Sequence, residues 1–179
     1  MGYIDEVWWS RIKIPKLKNW VEEKSYKIEK KSISKQDKES KAIACYGCLR
    51  IDNKKIYLRF TKQRPKSLST IGFLKWLSKK FEIEGKKVLV LFWDNATWHC
   101  SHMVRKWIKK FNQKAKKKGS IRLIVHFLPV KSPWLNPIEP CWLHGKKAVF
   151  EPNYILSVKE LRQRICAYYK FPLLPFLST

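Results

Sequence analysis

Two segments of this sequence carry acids where a metal-dependent reaction on a phosphodiester would need them. In Trp93-Asp94-Asn95-Ala96-Thr97-Trp98-His99, Asp94 ends the apolar run Val88 to Trp93. In Ser132-Pro133-Trp134-Leu135-Asn136-Pro137-Ile138-Glu139-Pro140-Cys141-Trp142, Glu139 lies where a proline-rich loop turns into a helix. Asp5, inside the apolar and aromatic stretch Gly2 to Trp9, is a third acid. Cutting or transferring a phosphodiester requires stabilising the attacking and leaving oxygens together, which two hard cations about 4 Å apart achieve by bridging the phosphate. Magnesium takes oxygen ligands, so aspartate and glutamate are the side chains that would hold it. His99 could orient a water, a phosphate or Asp94 itself; as a lone histidine it could equally be a hydrogen-bonded structural residue.

Each acid also has a plainer reading. Asp94-Asn95 after a strand is common turn and cap chemistry. Asn136 as N-cap, Pro137 at the first helical position and Glu139 at the third would make a capping box without any catalysis. Asp5 would be costly if buried without a partner or a metal.

The elements that must position these residues follow from hydrophobic periodicity. Gly2 to Trp9 reads as a strand, and Ser10 to Ser40 as loop or irregular β structure. Lys41 to Ile51 and Lys55 to Phe60, separated by Asp52-Asn53, read as a hairpin. Ser67 to Phe81 has the spacing of an amphipathic helix stopped by Gly85, and Val88 to Trp93 that of a strand buried on both faces. Ser101 to Lys110 is predicted helical, with Asn112 to Ser120 as its frayed, solvated continuation. A strand over Ile121 to Leu128, a helix over Asn136 to Phe150 and a last helix from the capping box Ser157–Glu160 to about Tyr169 complete the chain. The order predicts an α/β fold: a mixed sheet of three antiparallel strands followed by parallel strands, with helices on both faces. Ligand sites in such sheets lie beyond the carboxyl ends of the parallel strands, where Asp94 is expected.

Composition narrows the partner. The chain has 39 Lys and Arg against 14 Asp and Glu, a formal charge of +25, and nucleic acid is the anion that most naturally offsets such self-repulsion. Its longest apolar run is too short to cross a bilayer, so no membrane partner is expected. Asp5 and Glu6 argue against a secretory signal, and five irregularly spaced cysteines argue for reduced thiols in the cytoplasm. Cys45-Tyr46-Gly47-Cys48 lacks a second pair at zinc spacing, and on a strand its cysteines would point to opposite faces. His102, His126 and His144 form no ligand pattern. The 179 residues suit one domain with a core over about residues 2–170.

The segment from Trp93 to His99 resembles the Asp-Asn-Ala-x-x-His motif of mariner-superfamily DDE transposases, particularly their bacterial insertion-sequence branch. Ser132 to Trp142 is similar to the family's Ser-Pro-x-Leu-Asn-Pro-Ile-Glu-x-x-Trp, and Tyr3-Ile4-Asp5-Glu6 to its first acidic strand. The resemblance implies an RNase H-like fold and a transposase catalytic domain. Asp5, Asp94 and Glu139 would hold two Mg2+ ions, which Mn2+ could replace, with His99 auxiliary. It further implies cleavage beside the element's terminal inverted repeats and strand transfer into target DNA at TA, by a homodimer associated with the nucleoid. Three departures stand out: a long interval between Asp94 and Glu139, Trp134 in place of the usual acid after Ser-Pro, and Asp5 almost at the start of the chain. The last implies that the N-terminal helix-turn-helix region is absent here, to be supplied by another reading frame, by frameshifting or as a separately encoded half. The rival expectation is an inactive DNA-binding remnant of a truncated mobile-element transposase. A nuclease of the same fold acting without transposition would share the acids but not the Asn-Pro-Ile-Glu loop.

Overall fold

The computed structural model describes residues 1–12, 19–21, 24–26, 32–149 and 154–177. Strand β1 (Gly2–Ser10) is followed by a small antiparallel pair, β2 (Asn19–Val21) and β3 (Lys24–Tyr26), and by the hairpin β4 (Ala42–Arg50) and β5 (Ile56–Thr61). Then come α1 (Ser67–Ile83), β6 (Val88–Trp93), α2 (His102–Lys118), β7 (Arg122–Phe127), α3 (Ile138–Val149) and α4 (Val158–Tyr168). The main sheet has the order β5-β4-β1-β6-β7. β4 pairs antiparallel with both β5 and β1, whereas β6 runs parallel to β1 and to β7. Three antiparallel strands followed by parallel ones is therefore the observed topology. Within the stretch expected as loop or irregular β over Ser10 to Ser40, the short β2–β3 pair is observed, and residues 13–18, 22–23 and 27–31 lie outside the described residues, as does Phe150 at the end of the helix read from Asn136.

The β5-β4-β1 part of the sheet is buried on both faces because alternate residues of β1 and β4 feed two separate cores; β6 buries only the face of Leu89, Leu91 and Trp93, which corrects the expectation of a strand buried on both faces, because α3 and α4 pack on β1, β4 and β5 and leave Val88 exposed. Ile4, Tyr46 and Cys48 pack with Phe73, Leu74 and Leu77 of α1 and Val104 of α2. Val7, Trp9 and Cys45 face the other way, onto Ile138 and Trp142 of α3 and Leu161 and Ile165 of α4. Period-two alternation sends Cys45 and Cys48 into different cores, and all five cysteines are free thiols.

Three expectations are corrected. Asn112 to Ser120 is not a frayed end: α2 runs unbroken to Lys118 and stops at Gly119, whose φ of 63° is the left-handed C-cap. Ala115 is buried, and the Asn112 amide donates to the Leu123 carbonyl and accepts from its N–H, clamping the lysine-rich half of the helix to β7. The helix read from Asn136 begins at Ile138, after a 3-10 turn over Pro133–Leu135. At α4, Ser157 accepts from the Glu160 N–H as expected, but Glu160 bonds Tyr154 and Arg164 rather than closing a capping box.

Candidate active site

The three acids gather at one end of the sheet because strand pairing aligns two of them. Tyr3 pairs with Phe92 in the parallel β1–β6 register, so two further residues along each strand bring Asp5 beside Asp94. Glu139, in the first turn of α3, approaches from the face that α3 covers. Asp94 and Glu139 line one cavity of about 260 Å³ together with Asn95, Ala96, Lys131, Ser132, Pro133 and Asn136. Asp5 lies close enough to Glu139 to be raised by its charge. The loop ends on either side are tied together: Leu128 N–H donates to the Trp93 carbonyl at 2.8 Å, and the Asn95 amide donates to the Leu128 carbonyl.

Asp5 is 8 % exposed, and one oxygen accepts the Trp142 indole N–H at 2.8 Å. Its neighbour across the ladder is Gly47, where a Cβ would collide with the Trp142 ring. The missing side chain at Gly47 is thus what lets Trp142 lie across β4 and reach the acid. Burial, then the charges of Glu139 and Glu6, pushes the Asp5 carboxyl up to about 8, against the lowering effect of the Trp142 bond.

Asp94 is held differently. Its side chain is 55 % exposed, and Oδ1 accepts from the Ala96 N–H at 3.0 Å and from His99 Nδ1 at 2.7 Å. The turn reading and the site reading of Asp94 are therefore compatible. His99 is fully buried, its ring stacked on Trp93 at 4.6 Å with an interplanar angle of 4°, and its Nε2 lies 2.8 Å from Glu6 Oε1. Burial alone would depress the imidazole, but the bonds to Asp94 and Glu6 outweigh it and push it up to about 10. An imidazolium donating from both nitrogens follows, and the bond to it holds Asp94 below the usual carboxylate range.

The capping-box reading of Glu139 is not realised. Asn136 is 3 % exposed and its Oδ1 has no hydrogen-bond partner, so it caps nothing. Among the described residues the Glu139 carboxylate makes no hydrogen bond and stands exposed on the cavity wall. Trp142 is core, at 3 % exposure. His102, His126 and His144 do not join the site, and among the described residues no three His, Cys, Asp or Glu side chains stand close enough to hold an ion as they are.

Residues 3–162 match the family described as DDE superfamily endonuclease. The chain belongs to that family. The DDE endonuclease fold recurs in solved structures, including the Mos1 transposase paired-end complex with left transposon end, at 16% identity and a TM-score of 0.65 over 94% of this chain and 47% of that one. The catalytic domain of Mos1 mariner transposase aligns at 13% identity and a TM-score of 0.59, over 94% of this chain and 69% of that one. The chain thus spans about half the length of the Mos1 chain in the paired-end complex. No curated protein matches it by sequence.

Within this DDE endonuclease, the donor set suits a hard divalent cation. Asp5, Asp94 and Glu139 offer only carboxylate oxygens, and the like charges that raise Asp5 are what a bound cation would relieve. The unpartnered Asn136 Oδ1 adds a buried carbonyl acceptor on the same cavity wall. Asp5 turns to Trp142 and Asp94 to His99, so joint coordination needs side-chain rotation at a site whose backbone is already in place. Sequence reasoning missed Glu6 and Asn136. Alternation along β1 would have sent Glu6 to the face opposite Asp5, but nothing in the sequence named His99 as its partner.

Proposed function

We propose that this DDE endonuclease is the catalytic domain of a mariner-type transposase, cutting DNA at element ends and joining the freed 3′ ends to target DNA. The observation that carries the reading is the placement of Asp94 and Glu139 on one cavity wall, with Asp5 on the neighbouring strand. Asp5, Asp94 and Glu139 would hold the divalent cations, Mg2+ by preference and Mn2+ as a substitute. Bound there, the ions supply Lewis-acid stabilisation of the phosphate oxygens and a more acidic water. The protein's part is to fix the ligands: Trp142 anchors Asp5, while His99, itself anchored by Glu6, holds one oxygen of Asp94 and leaves the other free.

DNA as the partner is supported by α2, which carries eight Lys and Arg and no acid. Like charges four residues apart, such as Arg105 and Lys109 or Lys106 and Lys110, each cost a few tenths of a kcal/mol in an isolated helix, which a phosphate backbone would offset. No salt bridge joins any of them to an acid among the described residues. No helix among the described residues is long and apolar enough to cross a membrane. A dimer, with a separate DNA-binding unit recognising the element's ends, completes the proposal; it draws on the paired-end assembly named for Mos1.

The test is cleavage or joining of nicked and pre-cleaved element ends by wild type, Asp94→Asn and Glu139→Gln, with and without magnesium. The wild type should act only with metal, and each variant should be slower by ~10³-fold or more while still binding DNA. Equal activity in Asp94→Asn would remove that residue from the mechanism. Inactivity of all three with DNA binding retained would favour the remnant reading.

A further inference from the structure

At the β5 edge of the sheet, away from the carboxylate cavity, two arginines are withdrawn from water without an acid to pair with. Arg11, Arg50 and Arg164 are buried or half-buried too, and each pairs with an aspartate or glutamate. Arg59 of β5 and Arg162 of α4 are half-buried, and among the described residues neither makes a salt bridge. Their partners are neutral: Arg162 Nη2 donates to the Leu174 carbonyl at 2.6 Å and Arg59 Nη2 to the Pro175 carbonyl at 3.2 Å. The Nε–H of each is sealed from water with no acceptor. Burial lowers the pKa of both guanidinium groups, as it must for a charge that has lost water and gained no counter-ion.

The segment that supplies those carbonyls builds a cavity around Arg162. Residues 171–177 return along the edge strand β5, where the Leu177 N–H donates to the Phe60 carbonyl at 2.8 Å. This strap forms one wall of a cavity of about 550 Å³ whose other wall carries Thr61, Lys62, Gln63 and Arg162. Phe176 gathers both cations: the Arg162 guanidinium lies 4.0 Å from the ring centroid and Lys62 Nζ 5.6 Å. Each is attracted to the ring, but two like charges brought to one ring repel each other. Thr61, 2 % exposed, adds a hydroxyl and Gln63 an amide, both neutral donors.

Two cations and two neutral donors on one wall, with no acid among them, suit a phosphate group, whose several oxygens accept that many hydrogen bonds. The volume leaves room for more than a bare anion. Thr61 pairs with Ala44 and Ala44 with Trp8, which puts the cavity three residues beyond Asp5 and two strands over. At about 3.3 Å per residue and about 4.8 Å per strand, that is roughly 14 Å in the plane of the sheet, too far to hold a phosphate that the carboxylates would bind.

We propose that Arg162 and Lys62, beside the strap that carries Phe176, form a phosphate-binding site separate from the carboxylate cavity, filled by a free phosphoanion or by a backbone phosphate of bound DNA. The site stands whether or not the carboxylates cut DNA.

Titration calorimetry of the full chain with inorganic phosphate at low ionic strength tests it, for wild type, Lys62→Ala, Arg162→Lys and Lys55→Ala. Lys55 is an exposed lysine at the opposite end of the β4–β5 hairpin and controls for lost charge alone. Lys62→Ala and Arg162→Lys should each bind phosphate about tenfold more weakly than wild type, and Lys55→Ala like wild type. Arg162→Lys keeps the charge but loses the planar fork, so its loss tells a built site from diffuse attraction. If its Tm shows Arg162→Lys to be unfolded, Lys62→Ala, whose side chain is exposed, carries the test. Anisotropy with a short paired duplex, without metal and over a range of salt, then separates the two sources. With a backbone phosphate in the site, the slope of log K against log salt should fall by about one in Lys62→Ala and stay unchanged in Lys55→Ala. Phosphate binding lost with an unchanged slope assigns the site to a free phosphoanion. Wild-type behaviour of Lys62→Ala in both measurements would overturn the site. So would equal losses in Lys62→Ala and Lys55→Ala, or a folded Arg162→Lys that binds phosphate like wild type.

Discussion

Asp5 and Asp94 stand at the same end of adjacent parallel strands, yet opposite physics holds them. Asp5 is pinned in an apolar, aromatic wall by one indole bond, and its charge is penalised by burial and by neighbouring acids. Asp94 is open to solvent and clamped by a backbone N–H and a buried imidazolium, so its charge is favoured. One carboxylate is kept in place by the fold's packing at an electrostatic cost. The other is kept charged by a local network that reaches through His99 to Glu6 on the opposite face of β1 from Asp5. A pair of ligands poised in this way would be one needing a cation and one already prepared for it.

The contrast breaks most severely at His99. Replacing it with alanine leaves Glu6 buried without its partner and opens a gap against Trp93, so His99→Ala should lose ~3 kcal/mol in urea unfolding. Glu6→Gln keeps the shape, and titration calorimetry with Mn2+ should show ~10-fold or weaker metal binding while Tm falls less than in His99→Ala. Unchanged metal affinity in Glu6→Gln would detach Glu6 from the site.

A smaller effect, on the Asp5 side alone, is expected at Gly47. A Cβ there collides with the Trp142 ring and displaces the donor on Asp5, so Gly47→Ala should cost ~1–3 kcal/mol, read as a lower urea midpoint. Crystals of the variant should show the Trp142–Asp5 bond lengthened while the His99–Asp94 bond is unchanged.

The smallest effects are the most telling, because their signs differ. With a folded pKa raised from 3.8 to about 8, Asp5 binds its proton more tightly in the folded state, so its share of stability falls as pH rises through that window. Asp5→Asn should therefore gain ~1 kcal/mol or more over wild type at pH 8 and little near pH 4, and added Mg2+ should raise the wild-type Tm most at the alkaline end. Asp94 has the opposite shift, contributing stability above its ordinary pKa that is lost as pH falls through its lowered folded value. Asp94→Asn should cost ~1 kcal/mol near neutrality, the modest value reflecting its exposure. Urea titrations of both variants at pH 4, 6 and 8 check the signs; parallel curves would show that the two acids share one environment.

How much of this was readable in advance varies from residue to residue. The bounds of Val88 to Trp93 are legible in the sequence, because a continuous apolar run of that length between polar segments has few alternatives, but its burial on both faces is not realised: Val88 is exposed, and which helices cover a face depends on the packing of other elements. Asp94 followed from that strand, and Cys45 and Cys48 could be assigned to opposite faces by alternation alone. The lysine-rich half of α2 was not legible as a firm helix: charge density suggests solvation, and the Asn112 clamp on Leu123 is a contact between elements. The spacing of Asn136-Pro137-Ile138-Glu139 predicts a cap at Glu139, whereas the 3-10 turn before it carries Asn136 onto the cavity wall and away from capping.

The sequence by itself determined the strand and helix order, the basic charge, the acids at Asp5, Asp94 and Glu139, and the family to which they point. Those follow from residue type and from periods of two and 3.6, which are local properties of the chain. Only the tertiary structure decided that Asp94 and Glu139 share a cavity, that Gly47 makes room for Trp142 to reach Asp5, and that Glu6 holds the histidine that holds Asp94. Each of these joins residues distant in sequence, and their meeting depends on sheet order and helix packing, which no local period encodes.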